Sequence, residues 1–167
     1  KRINYDYSED INYEGLFGQI EYAKGAFTTF VQTSVSNQSY QREGRWSDIG
    51  TSEKVSKIGY NIKGGLSYAL NDASTVFFNG GYYSRQPFLD NIFDNIRNSN
   101  DLIRPDIDNE SVTGLEVGYK YSSGNLSANF NAYHTTWGNR SIVSAFNNEN
   151  GTPDDESDDF LQRDIER

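Results

Sequence analysis

The stretch from Lys57 to Leu70 alternates between two kinds of side chain. Every even position from 58 to 70 is apolar or glycine, whereas the odd positions carry Lys, Gly, Asn, Ser and Ala. Because successive side chains of a β-strand point to opposite faces, this pattern predicts a strand with one apolar and one polar face. At about 3.3 Å per residue, the strand is long enough to cross a bilayer at a tilt. The medium that touches the apolar face therefore decides the class of protein.

The same alternation recurs along the chain and predicts an all-β protein. Charged residues near strand centres, such as Lys63 and Glu116, fall on the polar face of their strands, while Glu14 and Lys24 share the apolar parity at strand ends. We therefore expect an antiparallel meander of about six strands in one domain spanning residues 1–167. The predicted strands lie near residues 13–24, 26–40, 55–70, 74–85, 111–121 and 125–139.

The connections between these strands alternate between short and long. Short turns rich in Gly, Asn, Asp and Ser are separated by long loops over residues 41–54, 86–110 and 140–167. In an antiparallel meander, all the short turns then lie at one rim of the sheet and all the long loops at the other. Outer-membrane barrels have this asymmetry, so we expect part of a larger transmembrane β-barrel. A soluble β-sandwich is the alternative fold.

Composition narrows the possible functions. The chain has 15 Lys and Arg against 24 Asp and Glu, so nucleic acid is not an expected partner. It has no cysteine, one histidine and no glycine-rich phosphate loop between a strand and a helix, so no catalytic constellation is recognisable and we expect no enzymatic activity. With 12 Tyr and 10 Phe, aromatic residues are frequent, as at membrane interfaces.

The chain contains no methionine, and we expect it to be an internal piece of a larger protein. Transmembrane barrels have at least eight strands, and an open sheet in lipid would leave unpaired strand edges. Six strands must therefore be completed by others of the parent protein.

Residues 76–93, with the motif VFFNGGYYSRQP followed by DNIF, and residues 109–137, which begin with NESVTGLEVGYKY, resemble the barrel of TonB-dependent outer-membrane receptors. In residues 76–93, a strand with an aromatic–Asn–Gly centre (VFFNGGYYSRQP) leads into a loop that begins with Arg and Pro and continues as DNIF. Residues 109–121 (NESVTGLEVGYKY) are similar to the recurring Glu-x-Gly-aromatic strand of that family, and residues 126–137 to the strand that follows it. The residue pattern of these stretches is similar to that of the large receptors of anaerobic gut-type bacteria.

This resemblance implies a role in transport. The parent protein would lie in the bacterial outer membrane and import a scarce solute, such as a glycan, an iron chelate or a corrinoid, with energy delivered by TonB. The implied partners are the lipid bilayer, the remaining barrel strands and plug, TonB through parts outside this chain, and a surface lipoprotein. Two alternatives stay open: a wall segment of a passive or structural outer-membrane barrel, and a secreted carbohydrate-binding or adhesin β domain.

Candidate ligand-facing residues lie on the polar face and in loop 86–110. Trp137 and Tyr133 have polar-face parity near the long-loop rim, and Arg85 ends its strand on the same face. Phe88 and Phe93 belong to an apolar series over 88–96 that is spaced as in a short amphipathic helix. Loop 86–110 either borders a ligand vestibule or docks a partner, or it packs its apolar side on its neighbours.

Loop 147–159 (NNENGTPDDESDD) is the most acidic stretch. Its carboxylate and Asn oxygens are the donors that calcium prefers, so calcium binding is chemically plausible in this loop. An EF-hand is excluded, because aligning Gly151 with the invariant glycine puts Phe146 first and Ser157 twelfth, where carboxylates are needed. We therefore expect no metal site, and a solvated loop in which like charges repel.

Overall fold

The computed structural model describes residues 5–95, 97, 99–103, 106–140, 142–148 and 160–166. Nine β-strands and two short 3-10 turns make up its regular structure. The strands are β1 (Tyr7–Lys24), β2 (Phe27–Gly44), β3 (Gly50–Thr51), β4 (Val55–Asn71), β5 (Ser74–Arg85), β6 (Glu110–Ser123), β7 (Leu126–Gly138), β8 (Ile142–Asn148) and β9 (Phe160–Glu166).

The main sheet is an antiparallel meander. Its strands follow the order β1-β2-β4-β5-β6-β7, and the two-residue strand β3 pairs with the end of β2. Strands β8 and β9 form a separate antiparallel pair. The all-β antiparallel fold expected from the alternating pattern is therefore confirmed.

The six long strands agree with the predicted ones, with differences at their ends. Strand β5 has the predicted bounds, β4 differs by one residue at its end, and β6 and β7 differ by one or two residues at both ends. Strand β1 begins at Tyr7, six residues before the prediction, because it pairs with the end of β2, Tyr7 opposite Gly44. The predicted loops 41–54 and 140–167 contain the short strands β3, β8 and β9.

The strand register brings the apolar residues of all six strands onto one face. Near the short turns, Phe27 pairs with Tyr68, Tyr68 with Val76, Val76 with Tyr119, and Tyr119 with Phe130. A parallel row through the middle of the sheet contains Tyr22, Thr29, Leu66, Phe78, Val117 and Ala132. A slip of one residue in any strand would move its apolar set to the other face, so the alternation itself favours this register.

The short turns have the chemistry that tight hairpins need. Gly25 and Gly124 have φ values of +60° and +56°, which L-residues with a side chain rarely adopt. In the turn between β4 and β5, the Asn71 side-chain oxygen accepts a hydrogen bond of 2.9 Å from the Ala73 amide. These turns fix the antiparallel neighbours.

The only cluster of buried apolar residues in the described structure lies at the long-loop end of the polar face. Tyr40 on β2 packs there with Leu89, Ile92 and Phe93 of loop 86–110. The described part of the loop does not form the helix predicted over 88–96. Its described part has one 3-10 turn, Leu89–Asn91, followed by a β-bridge from Phe93 to Leu102. Ile96 lies outside the described residues.

Candidate functional site

The apolar face of the sheet is uncovered. Leu66, Phe78 and Val117 at its centre are 45, 43 and 54 % exposed, so no layer of the described chain covers them. On β4, the apolar-face residues Ile62 and Leu66 are more exposed than polar-face residues such as Lys63. This difference is expected if the sheet curves around its polar face, because side chains diverge on the convex side and crowd on the concave side.

Two threonine hydroxyls on the apolar face are bonded to the backbone. The Thr29 hydroxyl donates to the Gly65 carbonyl at 2.8 Å, and the Thr33 hydroxyl to the Asn61 carbonyl at 3.1 Å. A hydroxyl that bonds the backbone in this way costs less to place in an apolar medium than a free one.

Charged residues mark the borders of the apolar face. Glu14 lies opposite Asn37, which pairs with Ile58, and Lys24 lies opposite Phe27 in the aromatic row near the short turns. Between these two rows, the apolar positions of the six strands carry no Asp, Glu, Lys or Arg. The face is thus a charge-free band with a charge at each border.

The polar face has its own hydrogen-bond network. The Glu116 carboxylate on β6 accepts from the Asn79 amide of β5 at 3.0 Å and from the Asn131 amide of β7 at 2.7 Å. On the neighbouring strands, the Asn61 amide donates to the Ser34 hydroxyl at 3.0 Å. These bonds tie adjacent strands together and hold the Glu116 carboxylate in a fixed position.

Aromatic rings fill the space over two glycines of the same face. Phe30 on β2 lies over Gly65, its cross-strand partner on β4, and Phe77 on β5 lies over Gly118, its partner on β6. Lys120 in turn lies over the Phe77 ring, with its Nζ atom 5.0 Å from the ring centre. The rings replace the missing side-chain contacts of the glycines, which stiffens the sheet.

Loop 86–110 folds back over the polar face. The Gln86 amide donates to the Ser36 hydroxyl at 2.8 Å, and the Tyr40 hydroxyl to the Pro87 carbonyl at 2.5 Å. Farther along the loop, Lys57 of β4 forms a 2.7 Å ion pair with Asp106. All three anchoring residues on β2 and β4 have polar-face parity, so the loop covers the long-loop end of this face rather than standing away from it.

A buried arginine connects this loop to β2. Arg42 is 1 % exposed, and its Nη1 atom donates to the Ser99 carbonyl and the Asn100 side-chain oxygen. The Asn100 amide donates in turn to the carbonyls of Ile49 and Gly50 at 3.2 and 3.1 Å. Burial lowers the pKa of Arg42, and its Nε and Nη2 atoms have no hydrogen-bond partner among the described residues.

The five predicted ligand-facing residues differ in how accessible they are in the structure. Tyr133 and Trp137 are 82 and 54 % exposed on the polar face of β7. Arg85 lies 4.4 Å from the centre of the exposed Phe88 ring and forms a 3.3 Å ion pair with Glu110. Phe93 is fully buried between its own loop and β2, because the loop packs its apolar side on that strand. It therefore offers no surface to a ligand.

A hollow lies on the polar face where β4, β5 and β6 meet. Its volume is about 470 Å³, within the range of small-molecule sites. The hollow brings Tyr133 together with residues of other strands. The alternating pattern places each of them on the polar face but does not show that they are neighbours. Its polar and aromatic lining consists of Phe30, Lys63, Asn79, Tyr83, Glu116, Tyr133 and Thr135.

Metal-ligating side chains do not converge in the described part of the chain: it holds no group of three His, Asp or Glu residues placed to bind an ion. Loop residues 149–159, which carry all the carboxylates of the acidic loop 147–159, lie outside the described residues. The single histidine, His134, lies on β7 with its Nε2 atom 3.2 Å from the Thr136 hydroxyl.

No helix among the described residues is long and apolar enough to span a membrane. Comparison with known proteins gave no match to a family model, a curated protein or a solved structure.

Proposed function

We propose that this chain is a wall segment of a bacterial outer-membrane β-barrel, of the TonB-dependent receptor type, and that the parent protein imports a scarce solute. The observation that carries the proposal is the uncovered apolar face opposite a hydrogen-bonded polar face. In this arrangement, lipid tails cover Leu66, Phe78 and Val117, and the polar face lines the interior of the barrel.

The height of the apolar face supports a bilayer. Leu70 and Ile58 are twelve residues apart on β4 and are 55 and 65 % exposed. Twelve residues extend about 40 Å along a strand, and a tilt of about 45° reduces this to about 28 Å. The apolar band of outer-membrane barrels is about 25 Å tall, so the two lengths agree.

The border residues also support a bilayer. Tyr68, Tyr119 and Phe130 form a row at the short-turn end, and Tyr60 stacks on Tyr82 at the other end with ring centres 5.8 Å apart. Aromatic residues favour the two membrane interfaces, and outer-membrane barrels carry such girdles at both. A soluble β-sandwich would instead cover this face with a second sheet.

The TonB-dependent receptor type rests on the resemblance of residues 76–93 and 109–137, which correspond to β5, the start of loop 86–110, β6 and β7. The inward fold of that loop fits a transporter, because it places the loop where it narrows the opening on the long-loop side. Strands of the parent protein would pair with the outer edges of β1 and β7, which have no partner in the described sheet.

Flotation of the full chain with lipid vesicles tests the membrane assignment. We expect the chain to float with the vesicles, and Ile62→Arg or Leu66→Arg to abolish flotation, because arginine in the middle of the lipid face costs about 2–4 kcal/mol. Asn61→Arg and Asn129→Arg are the polar-face controls and should still float. Recovery of the unaltered chain in the soluble fraction without detergent would contradict the proposal.

A further inference from the structure

The hollow on the polar face has opposite charges on its two sides. Lys63 lies on β4, and Glu116 lies two strands away on β6. Through Gly81, Lys63 is in register with Gly114, two residues before Glu116, so the two Cα atoms are about 12 Å apart by strand geometry. Neither side chain forms a salt bridge with a described residue.

The two charged groups differ in how they are held. The Asn79 and Asn131 amides each donate to one oxygen of the Glu116 carboxylate, which fixes its position. A carboxylate can accept about four hydrogen bonds, so Glu116 retains capacity for a further donor. Lys63 is half-buried, and a lysine ammonium on a flexible stem can adjust to an anionic group.

Backbone and aromatic rings form the rest of the hollow. Gly114 has open space where a side chain would stand, so a ligand can lie directly on the backbone there. The Tyr83 ring lies over Gly81 and forms one wall, and the largely exposed Tyr133 stands on the β7 side. Such walls suit the organic body of a ligand rather than a simple ion.

We propose that this hollow binds a short zwitterionic peptide, with its terminal ammonium at Glu116 and its terminal carboxylate at Lys63. Three extended residues span about 10–11 Å, which matches the separation of the two charged residues once their side chains turn toward the ligand. A neutral sugar would use neither charge fully, and a ligand with one charge would leave the other residue unpaired. A role for this peptide in import rests on the proposed function, whereas binding to the hollow does not.

Calorimetric titration of the full chain in detergent micelles tests the proposal, with trialanine as the probe. We expect binding of trialanine, and at least threefold weaker binding of N-acetyl-trialanine and of trialanine amide. Glu116→Gln keeps the size of the side chain, and this variant should bind N-acetyl-trialanine as tightly as trialanine. The Lys63→Gln variant should bind trialanine amide as tightly as trialanine.

Lys120→Gln is the matched control, because Lys120 lies on the same face over Phe77, outside the lining of the hollow. It should bind trialanine like the unaltered chain, and circular dichroism should show that all variants keep the strand content. The proposal would be overturned by equal binding of the blocked peptides, by maltotriose binding as tightly as trialanine, or by no binding at all. Failure of vesicle flotation would instead count against the membrane assignment alone.

Discussion

The ring of Phe77 on β5 occupies the space above Gly118, its cross-strand partner on β6. A Cβ atom at Gly118 would clash with this ring, so Gly118→Ala should displace Phe77 and weaken its contact with Lys120. Because the half-exposed ring can move aside, we expect a loss of about 1 kcal/mol in the free energy of unfolding, at the low end of the usual cost of overpacking. Denaturant unfolding in detergent micelles measures this loss.

Gly114→Ala is the control for that substitution. Gly114 lies on the same strand and the same face, and nothing within 4 Å would meet its added Cβ. It should leave the free energy of unfolding nearly unchanged. Equal losses for the two variants would mean that the ring does not pack on Gly118.

Tyr40 should make the attachment of loop 86–110 sensitive to alkaline pH. Its side chain is fully buried, and burial raises the pKa of Tyr40 to about 12 from the ordinary 10.0. The raised pKa contributes stability that is complete below pH 10 and is lost as the pH rises toward 12, because only the unfolded chain ionises easily in that window.

Tyr40→Phe tests this dependence. The variant should be less stable at neutral pH by about 1 kcal/mol, since the Pro87 carbonyl loses its donor, but it should lose less stability between pH 10 and 12. Unfolding midpoints across that range give the measurement, with the exposed Tyr133→Phe as control. A pH profile of Tyr40→Phe parallel to that of the unaltered chain would refute the role of Tyr40.

Arg42 and Asn100 should respond unequally to substitution. Arg42→Met removes two hydrogen bonds to the loop, but it also removes a buried charge with two unpaired nitrogen atoms. Asn100→Ala leaves that charge in place with one acceptor fewer, and it strips a donor from the Ile49 and Gly50 carbonyls. Leaving the buried Arg42 charge short of an acceptor costs about 1–3 kcal/mol, so Asn100→Ala should be the more destabilising change.

Denaturant unfolding ranks the two variants, and amide hydrogen exchange over residues 97–103 reports how firmly the loop is attached. Exchange should accelerate in both variants. A larger loss of stability in Arg42→Met would show that Arg42 stabilises the loop more than its burial costs.

The sequence predicted the sheet well because strict alternation and turn residues specify strands locally. Strand β5 shows this, since its bounds match the prediction at both ends. The start of β1 could not be predicted in this way, because the apolar-face positions 8, 10 and 12 carry Ser, Asp and Asn, and only pairing with the end of β2 makes this stretch a strand.

Loop 86–110 could not be predicted in the same way. Its apolar spacing suggested a helix, but burial of Leu89, Ile92 and Phe93 against Tyr40 is a tertiary effect that local spacing does not contain. Burial of Arg42 was equally hidden, because arginine is rarely buried and no local pattern marks this one. The hollow combines residues of five strands, so its lining emerges only from the register.

Single cysteines test most directly whether lipid covers the apolar face, because the chain has no native cysteine. Leu66→Cys, Phe78→Cys and Val117→Cys would each carry an environment-sensitive fluorophore in lipid vesicles, with Ser67→Cys and Glu116→Cys as polar-face controls. We predict blue-shifted emission and quenching by doxyl-labelled lipid at the three apolar positions and not at the controls. Equal quenching at both sets, or none at positions 66, 78 and 117, would contradict the account.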